Sequence, residues 1–162
     1  MPVGMWVCVS LYTYGSRILV ALNSVLKQTN AEKIELIVVD DASSDQSAAV
    51  VQSWMTEQQR HLGRCLLLQH SDNGGLAAAR NTAFRAATSG WCFVLDADNQ
   101  LDSEAVQRCG HLAQQADTHC AVIHSLVRVK QEQGSDDLRV LVSDAPWQQQ
   151  LFRGGNYIDA MA

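Results

Sequence analysis

Asp96 and Asp98 are separated by one residue and close an apolar run, residues 91–95. Alternate positions leaving a strand bring two carboxylates within reach of one point. Hard divalent cations take oxygen ligands, and Mg2+ or Mn2+ commonly use only one or two protein carboxylates, keeping positions for substrate phosphates. Two such carboxylates left unpaired would repel each other, which a cation relieves. A solvated acidic loop has the same composition, but the apolar strand ahead of the pair fixes its place.

Two further groups could act beside it. Asp40 and Asp41 end a β-branched run, residues 34–39. A carboxylate there can accept from a base N–H or a ribose hydroxyl, or it can serve the turn and helix cap to which residues 41–45 are suited. Asn73, Gly74 and Gly75 precede an Ala-rich helix that carries Arg80 and Asn81. The glycines permit positive φ and close backbone approach, and a helix N-terminus favours negative charge, so a phosphate could lie there. Arg80 is placed to reach a phosphate or an acidic loop. A simple turn with a surface arginine is the alternative. Neither G-x-x-x-x-G-K-[ST] nor G-x-G-x-x-G occurs, which disfavours a P-loop NTPase and a dinucleotide dehydrogenase.

The elements that must position these groups alternate. Strand patterns fall at residues 5–11, 34–39, 65–68 and 91–95. Helical spacing falls at 16–28, 47–60, 75–88 and 104–115, with Ser16 and Ser103 as N-caps and Gly90 as a helix stop. Leu76, Ala79, Ala83 and Ala87 are spaced for close helix–sheet contact. The strands are apolar throughout, as burial on two faces requires, so the fold is α/β with a mostly parallel sheet covered on both sides. Right-handed crossovers give the strand order third–second–first–fourth. Ligands in such sheets sit beyond the carboxyl ends of the strands, where both acidic groups fall. Residues 120–129 read as a further strand, 134–137 as a turn, 138–142 as a returning strand and 146–151 as a short helix.

The chain has 162 residues, 47% hydrophobic and 18% charged, with a net charge of −5. That suits one domain over residues 1–162 and disfavours nucleic acid as a partner. The five cysteines form no C-x-x-C pair and read as small buried hydrophobes. No apolar run approaches the roughly 20 residues of a membrane span, and no signal-peptide pattern opens the chain. The expectation is a cytoplasmic protein, with membrane association through a longer parent protein as the alternative.

Taken in order, several segments resemble the family 2 glycosyltransferases. They are residues 9–15 (VSLYTYG), 24–29 (SVLKQT), 35–45 (ELIVVDDASSD), 73–81 (NGGLAAARN) and 91–99 (WCFVLDADN). Residues 152–162 (FRGGNYIDAMA) resemble the stretch that precedes that family's acceptor region. The resemblance implies a GT-A fold, the Rossmann-like three-layer sandwich of nucleotide-diphospho-sugar transferases. It implies a nucleotide-diphosphate sugar donor, with a UDP-sugar favoured, and a saccharide or other hydroxyl acceptor. On the same footing Tyr12 and Tyr14 line the base pocket, Asp41 meets the base, and Asn73, Gly74, Arg80 and Asn81 lie near the donor. Asp96 contacts ribose or sugar and shares the metal site, and Asp98 binds the Mn2+ or Mg2+ that bridges the diphosphate. The implied chemistry is a single displacement with inversion.

Two departures stand out. The family has Pro and Asn flanking its Thr-Tyr pair, whereas this chain reads Tyr12, Thr13, Tyr14, Gly15. The family's catalytic base lies in a later acidic motif, and here Asp159 is the last acidic residue. The expectation is therefore a donor-binding portion whose acceptor side is missing and whose base lies outside the chain, with Asp159 as the remaining candidate. A non-catalytic sugar-nucleotide-binding module is the alternative. A phosphoacceptor receiver domain also pairs acidic residues with Mg2+. It needs a lysine, usually followed by proline, near its last strand, whereas Lys130 precedes Gln131.

Overall fold

β1 (Met5–Leu11) and β2 (Glu35–Asp40) run through the middle of a sheet, and nearly every residue in them is buried. That explains why MWVCVSL and ELIVVD show no polar alternation. β3 (Arg64–Gln69) and β4 (Trp91–Asp96) flank them and are half-buried. All three pairings are parallel, in the order β3-β2-β1-β4, as the crossover rule requires. This is a computed structural model, and it describes residues 5–88, 90–117, 119, 123, 127–129 and 139–141.

Four helices connect and follow the strands: α1 (Ile18–Leu26), α2 (Ser47–Gln58), α3 (Leu76–Ala86) and α4 (Ala105–Gln115). Trp6 and Cys8 of β1 and Ile37 and Val39 of β2 pack on Ala79 and Ala83 of α3. The small alanine side chains let the helix approach the sheet closely. Val7, Val9, Leu36 and Val38 alternate with that set and so point to the other face. Right-handed crossovers put α1 and α2 there, carrying the buried Ile18, Leu22, Val25, Val51, Trp54 and Met55. Each fully buried Leu or Ile of that layer contributes roughly 1.5–3 kcal/mol.

The chain divides into two compact units, Met1–Asp117 and Thr118–Ala162, where the sequence suggests one domain. In the second unit β5 (Val127–Val129) pairs antiparallel with β6 (Arg139–Leu141), the hairpin pairing expected of those residues. The expected helix at 146–151 and Asp159 lie outside the described residues.

Several local expectations give way. α1 begins at Ile18 after Arg17, with no side-chain cap, so Ser16 is not its N-cap. α4 follows Glu104 without a side-chain cap, so Ser103 does not cap it either. Instead the Val106 amide in its first turn donates to Gln28 Oε1, 3.0 Å away, from the end of α1. A partner distant in sequence satisfies the helix start, and the local signal loses. α3 stops at Ala86 and its C-cap Ala87 is already extended, so Gly90 is not the stop. Leu76 is exposed at the helix start rather than packed on the sheet.

Among the described residues no helix is long and apolar enough to cross a membrane. Cys8, Cys65, Cys92 and Cys109 are free, with Cys8 buried and the others half-buried.

Candidate functional site

The strand ends are flush. Leu11 pairs with Asp40, Ser10 with Asp96 and Asp40 with Gln69. Strand order reverses about β1, since β2 lies on one side of it and β4 on the other. A crevice at such a switch point is where open α/β sheets bind ligands. The residues after β1, β2 and β4, together with the turn before α3, form its rim.

The exits of β1 and β2 carry two strained residues. Thr13 has φ 56° and Ala42 has φ 58°, the only non-glycine residues with positive φ among those described. Such a conformation costs on the order of 1–3 kcal/mol, and its neighbours must hold it in place. The Thr13 amide donates to Ser43 Oγ at 3.0 Å, and the Ser43 hydroxyl donates to Asp40 Oδ1 at 2.5 Å. The Gly15 amide donates to Asp45 Oδ2 at 3.2 Å. Asp45 Oδ1 accepts from the Ser47 amide at 2.9 Å and from the Ser47 hydroxyl. Hydrogen bonds from the Ser47 hydroxyl and amide hold the Asp45 carboxyl below the usual range, against a small opposing effect of burial. The loop after β2 is thus laced to the one after β1, and Tyr12 and Tyr14 are left 47% and 39% exposed on it.

Asp41 is 3% exposed, and three groups meet its carboxylate. Its Oδ1 accepts from the Gly74 amide at 2.9 Å and its Oδ2 from the Gly75 amide at 2.6 Å. Oδ1 also lies 2.6 Å from His70 Nδ1, and His70 Nε2 lies 2.9 Å from Thr82 Oγ1 on α3. Burial raises the Asp41 pKa, but the hydrogen bonds from Gly74, His70 and Gly75 outweigh it and leave the carboxyl below the usual range. The turn is shaped for this contact. A Cβ on Gly74 would come within 2.9 Å of Ala78 Cβ, and Gly75 has φ 83°. The anion at the start of α3 is therefore the protein's own carboxylate, not the phosphate anticipated at residues 73–75.

At the end of β4, Arg80 Nη2 donates to Asp96 Oδ1 at 2.9 Å, with side chains 20% and 34% exposed. Arg80 Nε is buried without a partner. Asp96 is thus already paired, which corrects the expectation of two mutually repelling carboxylates. The Asn99 amide closes a turn on the Asp96 carbonyl at 3.1 Å, and Asp98 is exposed on that turn. Asn73 and Asn81 are exposed on the α3 side of the rim.

The fold therefore brings Tyr12, Tyr14, Asp41, Asn73, Gly74, Arg80, Asn81, Asp96 and Asp98 to one edge of the sheet. Two residues that shape the edge, His70 and Thr82, escape a reading of the sequence alone, while Ser43 and Asp45 hold the turn to which residues 41–45 are suited. The only local signal for His70 is its position directly after β3, ahead of the glycine turn.

A doubly wound parallel sheet with acidic residues closing its second and fourth strands at the switch point fits the GT-A type of nucleotide-diphospho-sugar fold. Solved structures of that type superimpose on it. A mannosyltransferase from Pyrobaculum calidifontis, solved with GDP-mannose and Mn2+, matches with TM-score 0.63 and 28% identity over 73% of this chain and 34% of that one. TarS of S. aureus (residues 1–349), solved with UDP-GlcNAc, matches with TM-score 0.62 and 26% identity over 68% of this chain and 31% of that one. The chain belongs to glycosyl transferase family 2, whose model matches residues 6–155. An uncharacterized glycosyltransferase of Nostoc sp. is 34% identical over 74% of this chain and 35% of its own length. The succinoglycan biosynthesis protein ExoO of Rhizobium meliloti is 31% identical over 70% of this chain and 31% of its own length. The chain thus spans about a third of the length of these two curated relatives.

Proposed function

We propose that this chain forms the donor side of an inverting, metal-dependent glycosyltransferase, binding a nucleotide-diphosphate sugar at the switch point between β1 and β4. The observation that carries the reading is the placement of exposed Asp98 beside the Arg80–Asp96 pair, on the same edge as Tyr12 and Tyr14. Family membership and the nucleotide-sugar complexes of similar proteins support it.

The donor set suits a loosely held hard cation. Among the described residues no three His, Cys, Asp or Glu side chains converge on one point, so a resident, fully protein-ligated metal is not what they build. One exposed carboxylate, Asp98, with Asp96 behind it, matches an Mn2+ or Mg2+ shell completed by a diphosphate. Such a cation would stabilise charge on the departing diphosphate. Tyr12 and Tyr14 offer faces on which a base can stack, with uracil favoured. Asp41 acts mainly by setting the 73–75 turn, with one lone-pair position left for a base N–H. Arg80 holds Asp96 oriented toward the sugar side.

Calorimetric titration with UDP, GDP and CDP, with and without Mn2+, tests the reading. UDP should bind most tightly and gain affinity with Mn2+, and Asp98→Ala should abolish that gain while sparing metal-free binding. Equal affinity for the three diphosphates, or a metal response that survives Asp98→Ala, would overturn it.

A further inference from the structure

Residues 24–29 resemble a family motif, yet none of them lies on the donor edge. Ser24 and Gln28, by their side chains, and Thr29, by its amide, instead grip the far end of the loop that carries Asp98. Gln28 is 5% exposed. Its Nε2 donates to the Asp102 carbonyl at 2.7 Å and to the Ser24 carbonyl at 3.1 Å, and its Oε1 accepts from the Val106 amide at 3.0 Å. The Ser24 hydroxyl donates to the Ala21 carbonyl at 2.7 Å and accepts from the Leu101 amide at 3.0 Å. The Thr29 amide donates to the Ser103 carbonyl at 2.9 Å. Consecutive backbone groups at 101, 102 and 103 are thus each tied to the end of α1.

The loop's other end is equally fixed, because Asp96 is the last residue of β4 and the Asn99 amide closes on its carbonyl at 3.1 Å. Only Gln100 separates that turn from the clamp. So short a tether leaves little freedom to the backbone beneath Asp98. A single exposed carboxylate can serve as the protein's main hold on a cation only if its backbone is held, since otherwise binding must also order the loop.

We propose that Gln28, assisted by Ser24, is a positioning residue for Asp98, holding the 97–102 loop in the conformation that receives the donor's cation. This rests on the donor-site reading above. It assigns the 24–29 segment a role in metal-assisted donor binding, exerted through the backbone from outside the crevice.

The test is a calorimetric double-mutant cycle with UDP and Mn2+, using Gln28→Met, which keeps the side-chain volume but neither donor nor acceptor of comparable strength. Supporting groups around metal ligands typically contribute 10–100-fold in metal affinity, so the Mn2+-dependent gain in UDP affinity should fall by about tenfold. Metal-free UDP affinity should stay within about twofold, and Gln28→Met should cost nothing further in an Asp98→Ala background, because the two residues act through one contact. Ser24→Ala removes the Leu101 tie, together with the local bond to the Ala21 carbonyl within α1, and should lower the gain in the same direction by a smaller factor. It also serves if Gln28→Met does not fold, as checked by its urea midpoint. An unchanged Mn2+ gain in the folded variants overturns the proposal, as does a loss that is equal without metal or persists in the Asp98→Ala background. A wild-type chain with no Mn2+ gain overturns the donor-site reading itself, and this inference with it.

Discussion

The carboxylate of Asp41 lies 2.6 Å from the amide nitrogen of Gly75, the residue that opens α3. A helix N-terminus attracts negative charge through its unsatisfied amides. Here the end of β2 supplies that charge, and the Gly74 amide joins it at 2.9 Å. The contact locks the turn before α3 to the central strand, and α3 carries Arg80, which in turn holds Asp96. One buried carboxylate thus lies at the head of a chain of contacts that reaches the proposed metal site.

Asp41→Ala should therefore damage the fold as well as ligand binding. It would strand two amides and His70 Nδ1 in a nearly buried place. Unsatisfied buried donors cost about 1–3 kcal/mol each, partly recovered by water, so we expect a loss of about 2–4 kcal/mol in urea unfolding. A stability within 0.5 kcal/mol of wild type, by the same order-of-magnitude reckoning, would contradict this role.

The same contact gives a pH dependence with a definite sign. The native Asp41 carboxyl sits below the usual range, because hydrogen bonds from Gly74, His70 and Gly75 outweigh the effect of burial. Above about 3.9, the ordinary aspartate value, it is ionised in both folded and unfolded chains and its contribution is fully present. As pH falls through the lower native value, that contribution is lost. Stability should therefore drop with acidification below about pH 4, and Asp41→Asn should flatten the slope. Asp45, also lowered, is the comparison: Asp45→Asn should flatten it less, because its loop is exposed. Equal slopes for wild type and Asp41→Asn would refute the assignment.

The sheet was legible because β1 and β2 are buried on both faces, which removes polar alternation, and because crossover handedness leaves few strand orders. The caps were not. Ser16 and Ser103 carry the right local chemistry, but the amide at the start of α4 finds Gln28, 78 residues away in sequence. Asp41 with Gly74, separated by 33 positions, is illegible for the same reason, whereas Arg80 was placed to reach a phosphate or an acidic loop and does bond Asp96, 16 positions on. Residue type marks a group as able to bind, but only the fold shows which partner has already taken it. The place of Asp98 just after β4 was readable because its strand is local.

Arg80→Ala should change metal behaviour in a way that separates its two possible roles. With the guanidinium gone, Asp96 and Asp98 become neighbouring carboxylates with less compensation, and a cation relieves their repulsion. Mn2+ affinity without nucleotide should rise, by about three- to tenfold, while UDP affinity in Mn2+ falls because Asp96 loses its orientation. Stability should change little, since a partly exposed pair contributes about 0–1 kcal/mol. Arg80→Lys, which keeps the charge without the planar fork, should lie between. Unchanged nucleotide-free Mn2+ affinity in Arg80→Ala would show that the pair does not govern the cation site.

His70 offers the sharpest local test, because its two nitrogens face different chemistry. Ionised Asp41 can only accept, so Nδ1 must carry the proton toward it, at 2.6 Å. In the neutral ring Nε2 is then the acceptor, and the Thr82 hydroxyl at 2.9 Å must donate to it. Long-range 1H–15N correlation spectra at alkaline pH should accordingly show the Nδ1–H tautomer, the less common one for a free imidazole ring. Substitution should separate the two ends. His70→Asn places an amide donor near the Nδ1 position and should retain the Asp41 contact, losing about 1 kcal/mol or less. His70→Leu removes both contacts and should lose about 1–3 kcal/mol. Thr82→Val, which leaves Nε2 without its donor but keeps the shape of the side chain, should fall near the Asn variant. An Nε2–H tautomer, or Asn and Leu variants of equal stability, would mean that the imidazole does not hold Asp41, and the turn before α3 would then rest on the two glycine amides alone.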